Sequence, residues 1–264
     1  MSTENIKLPT VFVSHGAPTL LLENGPTTAF FKQLGQSLPK PDAIVCVSAH
    51  WYTPAPIVST APRMETIYDF YGFPPELYEI TYPASGKPQL AKRVINLLKV
   101  AGFSVADDPN RGLDHGAWVP LSMMYPGADI PVFQLAVQPQ ESTEHHYKMG
   151  QALQSLRDEN ILILASGGAT HNLADFRGQT VETGGFDYAL KFDAWLKNAV
   201  TTSDVDTILD YRKSAPEARR NHPTPEHFLP LLVALGAAAD HSTGKVIHDE
   251  FTYGMLSMAA FRWG

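Results

Sequence analysis

Short apolar runs alternate with segments of helical periodicity along nearly the whole chain of 264 residues, and this alternation constrains the fold more than any other feature. The runs Ala43–Ser48 and Ile161–Ala165 are almost continuously apolar, as is typical of parallel strands that are buried on both faces. Gln89–Ala101, which lies between them, repeats apolar residues at helical spacing and predicts an amphipathic helix. The alternation predicts an α/β sandwich with a mostly parallel, mixed central sheet flanked by helices.

The same patterns place the other elements of the fold. Further strands are predicted at Thr10–Ser14, Phe103–Ala106, Val132–Val137, Val246–Phe251 and Leu256–Phe261, and further helices at Thr27–Leu38, Ser142–Asp158, Tyr188–Val200 and His227–Ala238. The composition does not shift along the chain, and the 21 prolines are scattered rather than gathered into a linker. We therefore expect residues 1–264 to form a single domain, although a typical size of about 150 residues per domain would allow two.

The charge balance bears on the kind of partner. Acidic residues number 27 and basic residues 20, so the net charge is −7 with neutral histidines, which is a poor match for phosphate backbones or anionic lipids. We expect a small-molecule partner rather than nucleic acid or a membrane, and no oligomeric state is predicted. Met1–Lys7 is polar and lacks the apolar segment of a secretory signal, so we expect a cytoplasmic protein.

Cysteine is almost absent from the chain, which limits the kinds of metal site and cross-link that can form. Cys46 is the only cysteine, so an internal disulfide, an iron–sulfur cluster and a cysteine-based zinc site are excluded. It lies in an apolar run and is predicted to be a small buried side chain. The ten histidines are the informative residue class instead.

Three histidines follow predicted strands closely. His15 comes directly after the strand predicted at Thr10–Ser14, and His50 follows the next apolar run. His171 follows a third run after a short segment that contains two glycines. Ligands of open α/β sheets gather at the carboxyl ends of the strands. The three imidazoles can therefore converge at one edge of the sheet, although they lie far apart in sequence.

Two more histidines lie at junctions marked by proline or glycine. Proline is favoured just inside a helix start, so Pro225 predicts that His227 lies on the first helical turn. Glu226 is another possible ligand, but only one of these two neighbours should face a metal ion. His115 lies in Gly112–Trp118, which predicts a glycine-flanked turn whose backbone comes close to a neighbour or ligand.

These five junction histidines suggest a metal site. Imidazole is the commonest neutral metal ligand, and three or more imidazoles with open coordination positions suit Zn(II) or non-haem Fe(II). The alternative is that each histidine is a hydrogen-bonded or exposed residue without a ligand, as we predict for His145 and His146 on the solvated face of a helix. Ser14, Ser48 and Ser166 are interpreted as small polar residues at strand ends. From the residues alone, both interpretations of the junction histidines stay open.

Seven short motifs, taken in order, carry a resemblance to a known family. The matching segments are Ser14–Pro18, Ser48–Trp51, Tyr68–Pro74, Leu113–Trp118, Tyr125–Pro126, Ala165–Leu173 and Pro223–Pro230. With these motifs the chain resembles the class III extradiol ring-cleaving dioxygenases, in the branch of 4,5-DOPA extradiol dioxygenases, nearly from end to end. The resemblance implies the α/β fold of that family and an enzyme that opens the ring of a catechol such as L-DOPA, by 4,5-cleavage, with O2.

The resemblance also implies a role for each junction histidine. His15, His50 and His227 match the residues that hold the metal. His171 matches the acid–base histidine, which is close enough to act as a fourth ligand when zinc is bound. His115 matches a second catalytic histidine that lines the substrate pocket. The cofactor implied for turnover is non-haem Fe(II), with Zn(II) as the alternative in the isolated protein.

The chain departs from part of the family in its ligand set. Relatives that cleave protocatechuate use two histidines and a glutamate, and the resemblance places His227 where their carboxylate lies. A set of three neutral imidazoles carries one negative charge less, so its metal ion should be a stronger Lewis acid.

Two further expectations concern the pocket and the reaction. Four aromatic residues near the motifs, Trp51, Tyr68, Phe70 and Trp118, are predicted either to wall a ring-shaped pocket or to pack in the core. The alternatives to ring cleavage are a zinc-dependent hydrolase or amidase on a related α/β scaffold and a catalytically silent metal-binding protein.

Overall fold

The computed structural model describes residues 7–238 and 242–264. Its strands are β1 (Thr10–Ser14), β2 (Ala43–Ser48), β3 (Ile57–Ser59), β4 (Ala106–Asp108), β5 (Val132–Gln134), β6 (Ile161–Gly167), β7 (Lys245–His248), β8 (Phe251–Thr252), β9 (Leu256–Ser257) and β10 (Ala260–Trp263). Its α-helices are α1 (Pro26–Ser37), α2 (Pro88–Val100), α3 (His115–Met124), α4 (Thr143–Ala152), α5 (Asp187–Thr201), α6 (Val205–Leu209), α7 (Tyr211–Ser214), α8 (Ala218–Asn221) and α9 (Leu229–Ala237). Short 3-10 helices occur at Pro18–Leu22, Pro75–Tyr78, Gln154–Glu159 and Leu173–Asp175.

The central sheet has six strands in the order β5-β2-β6-β1-β10-β7. The first four are parallel to one another, whereas β10 runs antiparallel to both β1 and β7. Ser14 of β1 pairs with Gly167 of β6, and Ser48 of β2 pairs with Ser166 of β6. The carboxyl ends of these three strands are therefore level, and the segments that follow them begin at one edge of the sheet. The mostly parallel, mixed sheet predicted from the sequence is confirmed.

Helices pack in pairs against the parallel strands. The wholly buried helix α9 lies on β1, β2 and β6, and α4 packs on α9. The two helices can come close because Gly236 of α9 has no side chain where they touch. A Cβ atom at this position would lie 2.0 Å from the Tyr147 carbonyl oxygen. Helix α3 contacts β2 and β6, and α1 packs on α3. These contacts fix the strand ends from which the site is built.

Helix α3 is missing from the sequence prediction. The turn predicted over Gly112–Trp118 is wrong, because an α-helix begins at His115. The Asp114 side chain caps this helix by accepting a hydrogen bond from the Ala117 backbone N–H, 3.2 Å away. Nearly all residues of α3 are buried, so the helix has no polar face whose periodicity would reveal it.

The helix predicted over His227–Ala238 begins two residues later than expected. The Pro225 carbonyl oxygen accepts hydrogen bonds from the backbone N–H groups of Phe228 and Leu229. These bonds close a turn ahead of the helix, which then begins at Leu229. His227 therefore lies in this turn, and its predicted place on the first helical turn is wrong.

Other predicted boundaries shift for local reasons. The helix predicted over Ser142–Asp158 is α-helical only as far as Ala152 and is followed by a 3-10 helix. The strand predicted at Phe103–Ala106 begins at its last residue, because the Phe103 backbone N–H donates to the Leu98 carbonyl oxygen at the end of α2. The two predicted C-terminal strands are each broken in two, at residues 249–250 and at residues 258–259. A turn at Gly254, with a φ of +72°, separates β8 from β9, and this short pair stands apart from the central sheet.

Residues 1–6, which make up most of the polar N-terminal segment considered above, lie outside the described residues. The longest α-helix within the described ranges is α5, with 15 residues, whereas a bilayer span needs about 20. No helix in these ranges is both long enough and apolar enough to cross a membrane.

His146 is fully buried, so its predicted place on a solvated helix face is wrong. Its Nδ1 lies 2.9 Å from the Ser142 carbonyl oxygen, and its Nε2 lies 3.0 Å from the Gln138 backbone nitrogen. The ring donates through Nδ1 and accepts through Nε2, which only the neutral form can do. Burial accordingly lowers the pKa of His146 to about 4. Helical periodicity does not reveal these contacts, because both partners precede the helix.

We expect His146→Leu to lower the free energy of unfolding by about 2 kcal/mol at neutral pH, because the buried Gln138 N–H loses its acceptor. This deficit should shrink at about pH 5. The folded pKa of about 4 lies below the usual histidine pKa of 6.5, so neutral His146 contributes stability that is present above pH 6.5 and is lost as the pH falls toward 4. Leucine has no such contribution to lose. Urea unfolding at the two pH values measures the effect, and an equal deficit at both would contradict this account.

Candidate metal centre

The histidines that follow three parallel strands meet at one edge of the sheet, as the sequence predicts. His15 follows β1 directly, His50 lies two residues beyond β2, and His171 lies four residues beyond β6. His227 reaches the same edge from the turn before α9. Its carbonyl oxygen accepts a hydrogen bond from the Gly168 backbone N–H at 2.9 Å, which ties this turn to the end of β6.

Three ring nitrogens converge at this edge. The Nε2 atom of His50 lies 3.1 Å from Nε2 of His15 and 3.3 Å from Nε2 of His227. One ring nitrogen from each of the three histidines lies within 4.8 Å of the others. His15 and His227 are buried and His50 is largely so. Nitrogens at this spacing can share a single cation.

The contacts behind His15 determine which of its ring nitrogens carries the proton. His15 Nδ1 lies 3.0 Å from Ser166 Oγ, and the Ser166 hydroxyl donates to the Gly116 carbonyl oxygen. Because that hydroxyl has only one proton, Ser166 must accept from His15. Nδ1 therefore carries the proton and Nε2 presents a lone pair. Ser166, interpreted from the sequence as a small polar residue at a strand end, thus orients a candidate ligand.

Carboxylates orient the other two rings in the same way. His50 Nδ1 lies 3.3 Å from Asp69 Oδ2, and His227 Nδ1 lies 3.3 Å from Glu226 Oε1. A carboxylate accepts a hydrogen bond from His227 Nδ1 and repels a lone pair on His50 Nδ1, so each Nδ1 carries the proton and each Nε2 keeps its lone pair. The Glu226 carboxylate contacts the far side of the His227 ring and orients it.

A positive charge fits between three unprotonated nitrogens that face one another. Burial is the main cause that lowers the pKa of all three histidines, to about 3 for His50, and repulsion from neighbouring imidazoles adds to it. The rings are therefore neutral, and no ring proton bridges the Nε2 atoms. The identity of the donors, their tautomers and their spacing fit a metal ion held by three imidazoles.

Asp69 also contacts His115, the histidine expected to line the pocket. Asp69 Oδ1 accepts a hydrogen bond from the His115 backbone N–H at 2.9 Å and lies 3.0 Å from its Nδ1. Burial opposes ionisation of Asp69, but hydrogen bonding from His115 outweighs it and lowers the pKa of Asp69 to about 2. The ring of His115 lies 3.9 Å from that of His50, measured between centroids. One anionic carboxylate thus positions both a candidate ligand and its neighbour.

His171 lies beside the three converging nitrogens and not among them. Its ring stacks on His227, with centroids 3.4 Å and planes 6° apart. Its backbone N–H donates to the Asn221 carbonyl oxygen at 3.0 Å, which holds the segment that follows β6. A ring nitrogen of His171 groups instead with His227 and Glu226. Burial lowers the pKa of His171 to about 4.

The histidines open into a cavity of about 440 Å³, which is within the range of about 300–1,000 Å³ that is typical of small-molecule sites. All five junction histidines line it, together with Asp69. Of the four aromatic residues predicted to wall a pocket or to pack in the core, Phe70 lines the cavity. Trp118 is fully buried in the core, and neither Trp51 nor Tyr68 lines the cavity.

Asp69 and Phe176 are among the cavity residues that were not singled out from the sequence. Asp69 belongs to the motif Tyr68–Pro74, so an acidic residue inside a family motif was the available signal. Phe176 lies just beyond a 3-10 helix, and its ring lies 5.0 Å from that of Tyr253. No local pattern of the sequence pairs these two rings, because they come together only in the fold.

The close fit between β6 and the turn of His227 leads to a testable prediction. A Cβ on Gly167 would lie 2.2 Å from the His227 carbonyl oxygen, so the added methyl group must displace the backbone that carries the ligand. We expect Gly167→Ala to lower metal affinity by at least about 10-fold, as for the loss of an outer-shell partner. Metal titration measures this effect, with Gly184→Ala as the control because its Cβ would meet nothing within 4 Å. Unchanged affinity in Gly167→Ala would show that this contact does not position the site.

Comparison with known proteins gives consistent matches. The family model described as the catalytic LigB subunit of aromatic ring-opening dioxygenase matches residues 9–262. A Beta vulgaris protein named 4,5-DOPA dioxygenase extradiol is 44% identical over 99% of this chain and 98% of its own length. An Escherichia coli K12 protein of the same name is 37% identical over 98% of this chain and 95% of its own. The crystal structure of the uncharacterized protein JW3007 from Escherichia coli K12 has a TM-score of 0.80 at 35% identity and covers 97% of this chain and 100% of that one.

These matches confirm the resemblance to extradiol dioxygenases that the motifs indicate. Dioxygenases of this family depend on a metal ion, in agreement with the three convergent imidazoles. Because the family model spans nearly the whole chain and the relatives match along most of their own length, the chain belongs to the family of the catalytic LigB subunit of aromatic ring-opening dioxygenases.

Proposed function

We propose that this protein is a metal-dependent extradiol dioxygenase that opens the ring of a catechol such as L-DOPA with O2, and that residues 1–264 form one catalytic domain. The observation that carries the proposal is the convergence of three unprotonated Nε2 atoms, with separations of 3.1 and 3.3 Å from the central one. They lie in the wall of a cavity of about 440 Å³, which has room for a catechol.

The names of the relatives support L-DOPA as the first candidate substrate. The matching proteins of Beta vulgaris, Portulaca grandiflora, Mirabilis jalapa and Escherichia coli K12 are all named 4,5-DOPA dioxygenase extradiol. Applied to this chain, the name implies cleavage of the ring bond next to the diol. The product would be of the muconate-semialdehyde type and would contain both atoms of O2.

Fe(II) is the ion that we propose for turnover, and Zn(II) is the alternative in the isolated protein. When bound, Fe(II) would order the diol and O2 side by side and supply the redox chemistry that Zn(II) lacks. The Nε2 atoms of His15, His50 and His227 would hold the ion. Their Nδ1 partners keep the three lone pairs directed at one point.

We assign the proton transfers to the two other histidines of the cavity. His171, stacked on His227, would accept a proton from a catechol hydroxyl at a ring nitrogen and return it when the O–O bond breaks. His115, whose backbone N–H is held by Asp69, would hydrogen-bond to the substrate hydroxyl or to the reacting oxygen. His115 is buried and His171 largely so, so these exchanges are shielded from bulk water.

Oxygen uptake tests the proposed reaction. Protein loaded with Fe(II) under anaerobic conditions should consume O2 only after L-DOPA is added, and a yellow ring-opened product should form. Protein loaded with Zn(II) is the control, which should bind the catechol and consume no O2. Hydrolysis of an ester or amide without O2 uptake would contradict the proposal and favour a metal-dependent hydrolase.

A further inference from the structure

The cavity is larger than a catechol ring requires, and one of its walls is apolar. Leu173, Phe176 and Tyr253, here called the outer wall, all line the cavity. Leu173 and Phe176 are 57% and 43% exposed. The rings of Phe176 and Tyr253 lie 5.0 Å apart at 47°, which is within the range of favourable aromatic contacts. The outer wall therefore offers an apolar surface to whatever substituent extends from the catechol ring.

The polar groups close to this wall are uncharged. Thr19 lines the cavity, and its hydroxyl lies within hydrogen-bond reach of the Tyr253 hydroxyl. The Tyr253 side chain adds a second hydroxyl, and burial raises the pKa of that phenol, so it stays neutral. Neutral hydroxyl groups can donate to or accept from an amide, ester or hydroxyl of a ligand.

The carboxylate that lines the cavity lies beside the histidines. Among the cavity-lining residues within 7–238 and 242–264, Asp69 is the only carboxylate, and none is lysine or arginine. The Asp69 carboxylate contacts His50 and His115. Arg177 follows Phe176 in sequence, but it is exposed and does not line the cavity. An anionic substituent on the substrate would therefore lose hydration in the cavity without gaining a cationic side chain.

We propose that the outer wall selects catechols whose side chain carries no net negative charge. This inference rests on the proposed ring cleavage and narrows its substrate class. L-DOPA satisfies the rule, because its ammonium group balances its carboxylate. Catechols with an uncharged amide or ester side chain satisfy it as well. Catechols whose only charged substituent is a carboxylate are disfavoured.

A matched pair of ligands tests the selection. The carboxylate 3-(3,4-dihydroxyphenyl)propanoate and its primary amide have nearly the same size and differ in charge. Calorimetric titration of the Fe(II)-loaded full chain under anaerobic conditions measures binding without turnover. We expect the amide to bind at least about tenfold more tightly than the carboxylate, because a carboxylate placed against the apolar wall loses hydration without gaining a cationic partner. Equal or tighter binding of the carboxylate would overturn the proposal.

Two variants locate the selection on the outer wall. Phe176→Arg introduces a cation at an exposed position of this wall and should lower the preference for the amide at least about tenfold, because the carboxylate gains a charge-assisted partner. Val100→Arg adds the same charge at a position that is 81% exposed at the end of α2, and the wild-type preference should remain. An unchanged preference in Phe176→Arg would overturn the role of the outer wall.

A third variant examines the nearest arginine in sequence. Arg177→Gln should leave the preference for the amide unchanged. A carboxylate affinity that falls in this variant, with the amide affinity preserved, would show that Arg177 binds anionic side chains and would overturn the proposal.

Admission of O2 then separates the proposed reaction from the proposed selection. Tighter binding of the amide without ring cleavage would contradict only the proposed reaction, whereas ring cleavage with equal binding of both ligands would contradict only the selection.

Discussion

Replacement of His50 by alanine should leave the purified protein almost free of metal and abolish ring cleavage. The Nε2 atom of His50 is the central one of the three, 3.1 Å from that of His15 and 3.3 Å from that of His227. Loss of an outer-shell partner costs a metal site about 10–100-fold in affinity or activity, so loss of a ligand itself should cost more than about 100-fold in both. Plasma mass spectrometry measures the metal content, and an oxygen electrode measures the reaction.

His145→Ala is the matched control for this experiment. His145 is a half-buried histidine of α4 that does not line the cavity, so both metal content and turnover should stay at the wild-type level. Circular dichroism separates loss of the metal from loss of the fold, and we expect the His50→Ala spectrum to match that of metal-free wild type. A full complement of metal in His50→Ala would show that the ligand set is wrong.

His171→Ala should have the opposite signature, with metal content preserved and ring cleavage lost. The His171 ring stacks on His227 and lies outside the group formed by the three Nε2 atoms. General acid–base catalysis contributes about 10²–10⁴-fold to turnover, and we expect a loss of this size. His115→Ala should likewise retain metal and lose turnover, because the same geometry places its ring beside His50 and not in the ligand group.

Two readouts on the same samples decide these roles. Metal analysis and anaerobic catechol binding should both match the wild type in His171→Ala, so that only the chemical step is affected. If His171→Ala loses the metal, His171 is itself a ligand, as the family resemblance allows for a zinc-loaded site. If turnover is unchanged, His171 takes no part in proton transfer.

The edge of the sheet at which the site forms was predictable from the sequence because strands and histidines are linked by short segments. His15 and His50 follow buried parallel strands so closely that they have to emerge where the strands end. The pairing of Ser14 with Gly167 and of Ser48 with Ser166 makes those ends level. Sequence periodicity detects each strand, and the general rule for open sheets supplies the common edge.

The parts of the site that were missed depend on contacts between remote irregular segments. Asp69 comes close to His115 because Thr66 pairs with Leu113 in an isolated bridge, which brings two loops together. Helix α3 begins with a cap from Asp114, and burial on all sides hides its periodicity. Tertiary contacts of this kind leave no local pattern, so a single sequence cannot place them.

The sequence also could not predict which ring nitrogen of each ligating histidine carries the proton. These protonation states follow from single hydrogen bonds, such as the one between His15 and Ser166. The Ser166 hydroxyl donates its proton to the Gly116 carbonyl oxygen and so must accept from His15. The sequence predicts that imidazoles gather. The structure adds that each ring turns an unprotonated nitrogen toward the same point.

The most direct test of this account is a crystal structure of the metal-loaded protein with anomalous diffraction measured at the absorption edge of the bound metal. We predict a single strong anomalous peak between the Nε2 atoms of His15, His50 and His227, at about 2.0–2.1 Å from each when zinc is bound. A peak that contacts other residues, or rings whose Nδ1 atoms face the ion, would contradict the central claim that three imidazoles present their Nε2 lone pairs to one cation.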